Sequence, residues 1–598
     1  MTSKATRGIN LPDHLVTPRT DAIYNAHGYL TKVPVDAIVP YIEAFTSPGD
    51  TVADMFAGSG MTAIAARIAG RNAVVSDISV LGQHIAQGYL AEVDLRDLRS
   101  AADRIVGRVR AEKGDYYQTQ RVRDGHSCEM IRTIWSFTYA CPHCSRDIVY
   151  YHALEANGWC KPASCPHCQG PFDPCRSEYR GDVPVCVVVP GCDGKQAEQT
   201  AAGVDQEKII RAKRDATLKR MPSVEIPSDR EMYRRSALGK WNLEETRRFF
   251  SDRNAIMLTR LWEEIQKESN AGIRQKLAFA FTAILPRASR RYQWSHKRPL
   301  NANNQTYYIS RVYFEWNVFD LFERKLSAVI RADDLIQERQ FALFPSRQSY
   351  EVCSATSLTH LSDSSVDYVF TDPPFGSNIF YSDMTLFHEA WLGRTTDSEQ
   401  EAVVHTCNHS ANGAQERYRD ILTQAFSEAH RVLKPGAYCS VIFGNSSGTM
   451  WSIFQKAIRD SGFDPIPAHV CVLDKGQRSV KGLNSGREGV ATLDLIVTLR
   501  KPRDGQRRDR KNQFTYDDVI SQVEHETDFN QFQSPSHIYL SLLKRAMQKG
   551  VSLEHLHLSD VLINLRQRGI VVDSQSGKLV RESRIAYRTR RDTKEGRR

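Results

Sequence analysis

Apolar and polar positions alternate with two different periods in the first hundred residues. Short apolar runs of strand length are separated by stretches in which apolar residues recur at helical spacing. The elements predicted within residues 32–100 are helices at 35–45, 62–69 and 80–91 and strands at 51–56 and 72–76. Strands that alternate with helices predict a parallel sheet covered by helices on both faces.

The same alternation returns in residues 351–500 and predicts a second half of the same kind of sheet. The elements predicted there are strands at 366–371, 437–443, 469–473 and 493–499 and helices at 420–433 and 450–461. A large insert separates the two halves; it begins with clustered cysteines and becomes helical from about residue 205. Within it, the pattern predicts a strand at 148–152 and a helix at 273–294 that runs into a basic segment. After a basic linker, the pattern predicts further helices at 515–526, 535–549 and 559–568.

The composition is that of an ordinary globular protein, with 598 residues of which 41% are hydrophobic and 25% charged. The formal net charge of +10 permits a polyanionic partner without requiring one. No uncharged apolar run reaches the ~18–20 residues that a membrane helix needs. The first residues contain no apolar signal core, so we expect a cytoplasmic protein that makes no membrane contact.

A glycine-rich turn, Asp54-Met55-Phe56-Ala57-Gly58-Ser59-Gly60-Met61-Thr62, follows the first predicted strand and opens a helix. Gly58 and Gly60 allow a ligand to approach the bare backbone, and the helix N-terminus favours an anionic group. Asp77 ends the next strand, where a ribose diol is hydrogen-bonded in nucleotide-binding α/β sheets. A third glycine and a phosphate-loop lysine are both missing, so a nucleoside sulfonium is favoured over NAD or ATP.

A second turn, Asp372-Pro373-Pro374-Phe375, comes directly after the apolar run at 366–371. Two prolines stiffen this turn, so that a carboxylate, a carbonyl and an aromatic ring are held together. The Asp372 carboxylate and the Pro373 carbonyl suit the two N–H groups of an exocyclic amine, and Phe375 suits stacking on a planar base. The alternative interpretation is a stiffened loop that only ends a strand.

Two Cys-x-x-Cys knuckles predict a metal site in the insert. Four thiolates from two knuckles form a tetrahedral structural zinc site that is closed to substrate. The candidate ligands are Cys141, Cys144, Cys165 and Cys168. We do not expect the neighbouring Cys160, Cys175, Cys186 and Cys192 to be ligands.

A basic stretch of the insert, residues 271–300, contains seven Lys or Arg residues and no acid, with aromatic residues interleaved. Arginines beside aromatic rings can hold phosphates and stack on unpaired bases, although a solvated helix end beside core aromatics fits equally well. The candidate nucleic-acid contacts are Arg287, Arg290, Arg291, Tyr292 and Trp294. The aromatic positions of 307–322 are predicted to be helix core.

The two turns together resemble those of the S-adenosylmethionine-dependent DNA amino-methyltransferases. The segments 24–34, 364–370 and 432–438 resemble, in the same order, the stretches that lead into and follow these turns in that family. The resemblance implies that S-adenosylmethionine is the cofactor and that the catalytic residues are Asp372, Pro373, Pro374 and Phe375. It also implies a cofactor site made of Lys32, Asp54, Phe56, Gly58, Gly60, Thr62 and Asp77.

The cysteine-paired insert makes the chain similar to adenine-specific DNA methylases that carry a zinc ribbon. This resemblance implies a Rossmann-like methyltransferase sheet, split by a zinc ribbon and a helical region and followed by a small helical C-terminal extension. The predicted parts are the two halves of the methyltransferase domain at 1–100 and 346–502, a helical connector at 101–125, the ribbon at 126–200, a helical basic target-recognition region at 201–345 and the C-terminal region at 503–598.

The leading hypothesis is methylation of adenine N6 in duplex DNA, with the base flipped out of the helix. Three alternatives remain open: methylation of cytosine N4, methylation of RNA, and a DNA-binding modification subunit that works with other subunits of a restriction or defence assembly. The Asp at position 372 favours adenine only as a tendency of the family, in which cytosine enzymes more often carry serine.

Overall fold

The structure is a computed structural model. It describes residues 10–17, 20–191, 194–296, 307–340, 346–376, 379–405, 413–475, 493–503, 535–567, 569–572 and 579–581. The predicted helix at 515–526, most of the basic linker, the basic tail and Cys192 lie outside the described residues.

The described strands are β1 (His14–Val16), β2 (Thr51–Asp54), β3 (Asn72–Asp77), β4 (Gln118–Gln120), β5 (Ser127–Glu129), β6 (Arg132–Ala140), β7 (Asp147–Val149), β8 (Tyr179–Pro190), β9 (Gln196–Thr200), β10 (Val312–Trp316), β11 (Gln348–Val352), β12 (Val366–Thr371), β13 (Leu433–Phe443), β14 (His469–Asp474), β15 (Asp494–Arg500), β16 (Ile570–Val572) and β17 (Leu579–Arg581).

The described α-helices are α1 (Ala22–Ala26), α2 (Val35–Phe45), α3 (Met61–Ile68), α4 (Val80–Leu90), α5 (Leu95–Lys113), α6 (Tyr150–Ala156), α7 (Gly203–Ala212), α8 (Glu231–Arg235), α9 (Asp252–Gln266), α10 (Ala271–Ala288), α11 (Val318–Arg339), α12 (Tyr381–Leu392), α13 (Ala414–Val432), α14 (Gly448–Asp460), α15 (Pro535–Lys549) and α16 (Leu558–Gln567). Short 3-10 turns lie at Gly114–Tyr117, Ala216–Arg220, Leu238–Trp241, Thr246–Phe249 and Ser398–Gln400.

One large sheet contains strands from both halves of the chain. Within the described residues its order is β1-β14-β15-β13-β12-β2-β3-β11. The strand β12 pairs in parallel with β2, with Tyr368 opposite Val52, and β11 pairs in parallel with β3. The α/β fold split by an insert is therefore confirmed. The strand β15 departs from the parallel pattern, because it runs antiparallel to both β13 and β14.

The central strands are buried on both faces, which explains why their sequences read as continuous apolar runs. In β12, Val366 and the residues from Tyr368 to Thr371 are all buried. The helices begin at side-chain caps: Ser79 accepts a hydrogen bond from Gly82 N in α4, and Asn270 accepts one from Ile273 N in α10. These local signals account for the agreement between the predicted and observed elements of the sheet.

A second sheet forms the core of the insert, in the antiparallel order β10-β6-β8-β9, with β7 paired to β6. Glu315 on β10 forms a buried ion pair with Arg253 of α9 and accepts a hydrogen bond from Trp135 Nε1 on β6 at 2.8 Å. The predicted ribbon and the predicted helical region therefore share one sheet, because β10 comes from the far end of the insert.

Three predictions of secondary structure in the insert are wrong. Tyr313, Phe314 and Trp316 lie in β10 and not in a helix, because they alternate across a strand that is buried on both faces. The predicted strand at 148–152 ends at Val149, where α6 begins. The predicted helix at 273–294 ends earlier, at Ala288.

The helix α10 joins the insert to the large sheet. Its Phe279 packs so closely on Gly88 of α4 that a Cβ atom on Gly88 would lie 2.2 Å from the ring. The hydroxyl of Thr282 lies 3.0 Å from His27 Nε2 and 2.9 Å from His84 Nε2. A small residue and a buried polar cluster therefore hold the insert against the large sheet and its helices.

The C-terminal region packs on the far edge of the large sheet. The helix α15 contacts β14 and β15, and Ile538, Tyr539 and Leu543 on this helix are buried. The helical extension also ends in a two-stranded antiparallel hairpin, β16–β17, which the sequence pattern does not predict. Among the described residues, no helix has the length and apolar content to cross a membrane.

Candidate active site

The glycine turn leaves β2 at Asp54 and enters α3 at Met61. Gly58 and Gly60 have φ of +47° and +78°, in the left-handed region where glycine carries no steric penalty. A Cβ atom on Gly60 would lie 2.5 Å from the Cβ of Ala86 in α4. The turn therefore needs glycine at position 60 both for its backbone conformation and for the approach of α4.

Asp77 lies at the end of β3, directly beside this turn. Its carboxylate accepts hydrogen bonds from Gly58 N at 2.8 Å and from Ser79 N at 2.9 Å. On the opposite side, the Tyr350 hydroxyl donates to Gly58 O at 2.8 Å. Burial raises the pKa of Asp77, while the backbone N–H donors oppose this shift. The ribose-binding position predicted from the sequence thus lies against the glycine turn.

Asp54 connects the two predicted turns. Its Oδ1 accepts from Thr371 Oγ1 at 2.7 Å and from Phe56 N at 3.0 Å, and its Oδ2 accepts from Thr62 Oγ1 at 2.6 Å. Burial raises its pKa to about 7, against these hydrogen bonds. Since Thr371 immediately precedes Asp372, this buried carboxylate joins the glycine turn, the predicted cofactor turn, to the start of the turn at 372–375, the predicted catalytic turn.

The catalytic turn follows β12 and is held by side chains from two distant elements. The Tyr418 hydroxyl of α13 donates to Pro374 O at 2.5 Å, and Asn445 Nδ2 donates to Phe375 O at 2.6 Å. The ring of Phe375 lies edge-on to Phe443, with the centroids 5.4 Å apart. Both hydrogen bonds hold backbone carbonyls, so they determine the path of the turn independently of its side chains.

The two turns line one cleft, which has about 920 Å³ of empty space including its mouth. The predicted residues that line the cleft are Lys32, Asp54, Phe56, Gly58, Thr62, Asp77, Asp372 and Pro374. Gly60, Pro373 and Phe375 do not line it. Six groups that line the cleft have shifted pKa values, as is common at functional sites: Tyr29, Lys32, Asp54, Asp77, Tyr381 and Glu401.

Lys32 is buried and hydrogen-bonded to the backbone of the segment that precedes it. Its ammonium donates to the carbonyl of Tyr24 and, at 2.7 Å, to that of His27. Burial lowers its pKa to about 7. Lys32 therefore holds the leading segment against the cleft through two carbonyl oxygens.

Sequence reasoning missed a polar group on the wall of the cleft. The Tyr381 hydroxyl lies 3.0 Å from Thr31 Oγ1, and Glu401 accepts from Tyr381 N and from Ser382 Oγ, each at 2.5 Å. Burial raises the pKa of Glu401 to about 7. Thr31 could have been noticed as the neighbour of Lys32, whereas no motif or spacing indicates Tyr381 or Glu401.

The four knuckle cysteines are brought together in the insert. All their sulfur atoms lie within 4.8 Å of one another, with Cys141 and Cys168 at 3.7 Å and Cys144 and Cys165 at 3.9 Å. Sulfur ligands about 2.3 Å from a tetrahedral zinc ion are about 3.8 Å apart. The geometry of this sulfur cluster is therefore that of a structural zinc site.

The five predicted nucleic-acid contacts differ in their surroundings. Arg290 is ion-paired with Asp182, and the buried Arg291 lies over the ring of Tyr307. Tyr292 is buried, and Trp294 packs on Tyr151 and Trp159 beside the ribbon. Arg287 is exposed. Arg290, Arg291 and Tyr292 are engaged in protein packing, and the predicted role of this group in nucleic-acid binding stays a prediction.

Comparison with known proteins finds a family match in the first half of the large sheet. Residues 12–87, which contain the leading segment, the glycine turn and Asp77, match the family model for DNA methylases of the N6/N4 class. The predicted resemblance to DNA methylases is thereby confirmed over residues 12–87, which contain the first of the two turns. Adenine specificity is a finer property that the family model does not distinguish from cytosine N4 specificity. A search of curated proteins finds no match.

Solved structures with local similarity are methyltransferases or are assigned to that class. A protein of Thermus thermophilus assigned as a DNA modification methylase is 19% identical (16% in its complex with S-adenosyl-L-methionine), with a TM-score of 0.16 in both cases. The match covers 29% of this chain and 60% of that chain, so this chain spans under two thirds of that relative. A SAM-dependent methyltransferase of Methanosarcina mazei is 14% identical over 30% of this chain and 79% of that one, with a TM-score of 0.15.

Proposed function

We propose that this protein is a DNA methyltransferase that transfers a methyl group from S-adenosylmethionine to the exocyclic amine of a flipped base, with adenine N6 as the target. The observation that carries the proposal is the single cleft lined by both turns and joined by the Asp54–Thr371 hydrogen bond of 2.7 Å. Because the turns come from distant parts of the sequence, their convergence supports a reaction that needs both.

The cofactor side fits a nucleoside sulfonium. Gly60 forms a close-packed turn that a Cβ atom would fill, and Asp77 offers a carboxylate where a ribose diol is bound in this type of sheet. Gly58, Phe56 and Lys32 line the same side of the cleft. S-adenosylmethionine supplies an electrophilic methyl group when it is bound.

The residues of the catalytic turn act by positioning an amine. The Asp372 carboxylate and the Pro373 carbonyl accept the two amine N–H bonds, which keeps the nitrogen lone pair directed at the methyl carbon. With the cofactor bound, its methyl group would pass to the amine nitrogen, the thioether would be the leaving group, and the proton then lost from the nitrogen would pass to water. The target base must leave the helical stack to reach this position, and Phe375 is a candidate for stacking on it.

The insert is a candidate for holding the DNA. A groove beside the insert sheet is lined by Lys213, Lys240, Arg247 and Arg248 together with Trp241, and three of these cations are exposed. Such contacts hold phosphates and set the position of a duplex without specifying its sequence. The same groove is also lined by four acidic residues and by Arg290 of the predicted basic stretch, which is paired with one of them, Asp182. The acidic residues are Asp182, Glu245, Asp252 and Glu315.

The test of the proposal is methyl transfer by the purified chain, compared with Asp372→Asn. This substitution keeps the size of the side chain but removes the carboxylate charge, so we expect a loss of about 10³-fold in the single-turnover rate with cofactor affinity changed by less than about threefold. Asp363→Asn is the matched control, since Asp363 is an exposed carboxylate paired with Arg431.

The substrates of this assay separate the open alternatives. Duplex DNA, single-stranded DNA and structured RNA are supplied with labelled S-adenosylmethionine, and the methylated base is identified by mass spectrometry. N6-methyladenine supports the adenine proposal, whereas N4-methylcytosine or labelled RNA replaces it with the corresponding alternative. Cofactor binding without transfer to any substrate favours an idle modification subunit of a restriction or defence assembly.

We also propose that the four-cysteine cluster binds one structural zinc ion that stabilises the ribbon. Cys165→Ser removes one thiolate, and we expect the loss of one equivalent of zinc and a lower unfolding temperature, because zinc binding contributes to folding. Cys160→Ser is the control, since Cys160 is exposed and lies outside the cluster. Zinc well below one equivalent in the wild-type protein would contradict the assignment.

A further inference from the structure

A second group of metal-ligand side chains lies at the far edge of the large sheet. His14, Asp474 and His537 each offer one ligand atom, and these three atoms all lie within 4.8 Å of one another. The two imidazole rings have centroids 5.9 Å apart and meet at 60°. This group is unrelated to the active-site cleft, whose lining contains none of the three residues.

The fold brings these residues together from three distant parts of the chain. The strand β1 runs parallel to β14, with His14 opposite Val472 and Val16 opposite Asp474. His537 lies in the first turn of α15, which packs on β14. A neighbouring ion pair of 2.8 Å, between Asp13 and Lys544, also joins β1 to this helix. The edge strands and the C-terminal helix therefore meet at this group.

The chemistry of the group suits a divalent transition metal. Two imidazole nitrogens and one carboxylate oxygen are ligands that zinc and cobalt accept, whereas magnesium and calcium prefer sites made of oxygen. Ligand atoms around a tetrahedral zinc ion lie about 3.3 Å apart. Asp474 and His537 are half-buried, whereas His14 is exposed. A rotation of the His14 side chain can therefore shorten the distances from its ring nitrogen to the other two ligand atoms.

We propose that His14, Asp474 and His537 bind one divalent transition metal ion that fastens the C-terminal helix α15 to the edge of the methyltransferase sheet. The site has three protein ligands and leaves a fourth position to water. It differs from the cysteine cluster in its ligands, in its position and in its exposure, so its metal exchanges with solvent more readily. This inference does not depend on the proposed methyl transfer.

Cobalt titration tests the proposal on the full chain. The protein is first given one equivalent of Zn²⁺, which the thiolate cluster takes up, and is then titrated with Co²⁺. We expect one further equivalent of bound Co²⁺, with the weak visible bands of nitrogen and oxygen ligation and without a strong thiolate charge-transfer band. Hydrogen exchange of the α15 amides should slow when Co²⁺ is added.

The variants His14→Ala and His537→Ala should each lose this equivalent and the added protection of α15. His152→Ala is the matched control, because His152 is an exposed histidine outside both clusters and should behave as the wild type. His14→Ala changes an exposed side chain, so its fold, checked by circular dichroism, is expected to be intact. Absence of the extra equivalent in the wild type, or its retention in both variants, overturns the proposal.

Discussion

The two turns of the active site are held in different ways. The cofactor turn is held mainly within one strand–helix–strand unit, by Asp77 and by the close approach of α4 at Gly60. The catalytic turn is held from outside, by Asp54, Tyr418 and Asn445, which come from three separate parts of the chain. This difference indicates that the cofactor turn can form with its own unit, whereas the catalytic turn needs the completed sheet.

Among the tests of this difference between the turns, the largest loss of cofactor affinity is expected from a change that disturbs the cofactor turn alone. In Gly60→Ala, a left-handed backbone costs about 1–2 kcal/mol, and the new Cβ atom also meets Ala86 at 2.5 Å. We expect the affinity for S-adenosylmethionine, measured by calorimetry, to fall about a hundredfold, or about 2.7 kcal/mol.

Gly49→Ala is the control for this substitution. Gly49 has a φ of +86° but nothing within 4 Å of an added Cβ atom. It should therefore lose about 1–2 kcal/mol of stability through backbone strain, with unchanged cofactor affinity. Equal losses of cofactor affinity in the two variants would mean that close packing of the glycine turn is unimportant.

A smaller effect is expected from the loss of two buried tyrosine hydroxyls, each of which donates a hydrogen bond to one of the two turns. This test separates the contributions of the turns more clearly. Tyr418→Phe removes the donor to Pro374 O, and Tyr350→Phe removes the donor to Gly58 O. Each lost hydrogen bond is worth about 1–1.5 kcal/mol, or about tenfold. We expect kcat to fall in Tyr418→Phe and cofactor affinity to fall in Tyr350→Phe, as steady-state kinetics and cofactor titration would measure. If both variants alter the same constant, the two turns do not act separately.

The smallest expected effect is on the pH dependence of the free energy of unfolding. It arises from buried histidines near the contact between the insert and the large sheet. Burial lowers the pKa of His84 to about 4 and that of His388 to about 3, whereas imidazole in an unfolded chain titrates near about 6.5. At these two histidines the unfolded chain therefore binds more protons between about pH 4 and 6.5, so their contribution to the free energy of unfolding falls as pH decreases through this window.

Urea unfolding at several pH values measures this slope. Asp54 acts in the opposite direction, because its pKa is raised to about 7 in the folded protein, and its folded form binds more protons between about pH 4 and 7. The variant His388→Leu separates the two contributions, since it removes one buried imidazole and should show a shallower decline than the wild type. An identical decline in the variant would exclude His388 as a source of acid sensitivity.

The features that depend on a few neighbouring residues were predictable from the sequence. The apolar run of β12 has the predicted bounds, and the helices α2, α15 and α16 agree with prediction to within one residue at each end. The cysteine knuckles were predictable for the same reason, since each knuckle is a local turn that presents two thiolates. The aromatic residues of β10 were misjudged, because a strand buried on both faces has no polar positions to mark its period.

The polar wall of the cleft was not predictable, because its members depend on contacts across the fold. Tyr381, Glu401 and Tyr418 belong to no motif, and their importance comes from which atoms they reach. The same is true of the His14, Asp474 and His537 group, whose members are separated by most of the chain.

The sequence by itself determined the predicted strands and helices of the large sheet, the two turns and the cysteine pairs, because hydrophobic period, glycine and proline act over a few residues. Only the tertiary structure decided that β12 lies beside β2, so that Asp372 and Gly58 line one cleft. Pairing between distant strands depends on burial and register over the whole sheet, which no short stretch of sequence encodes.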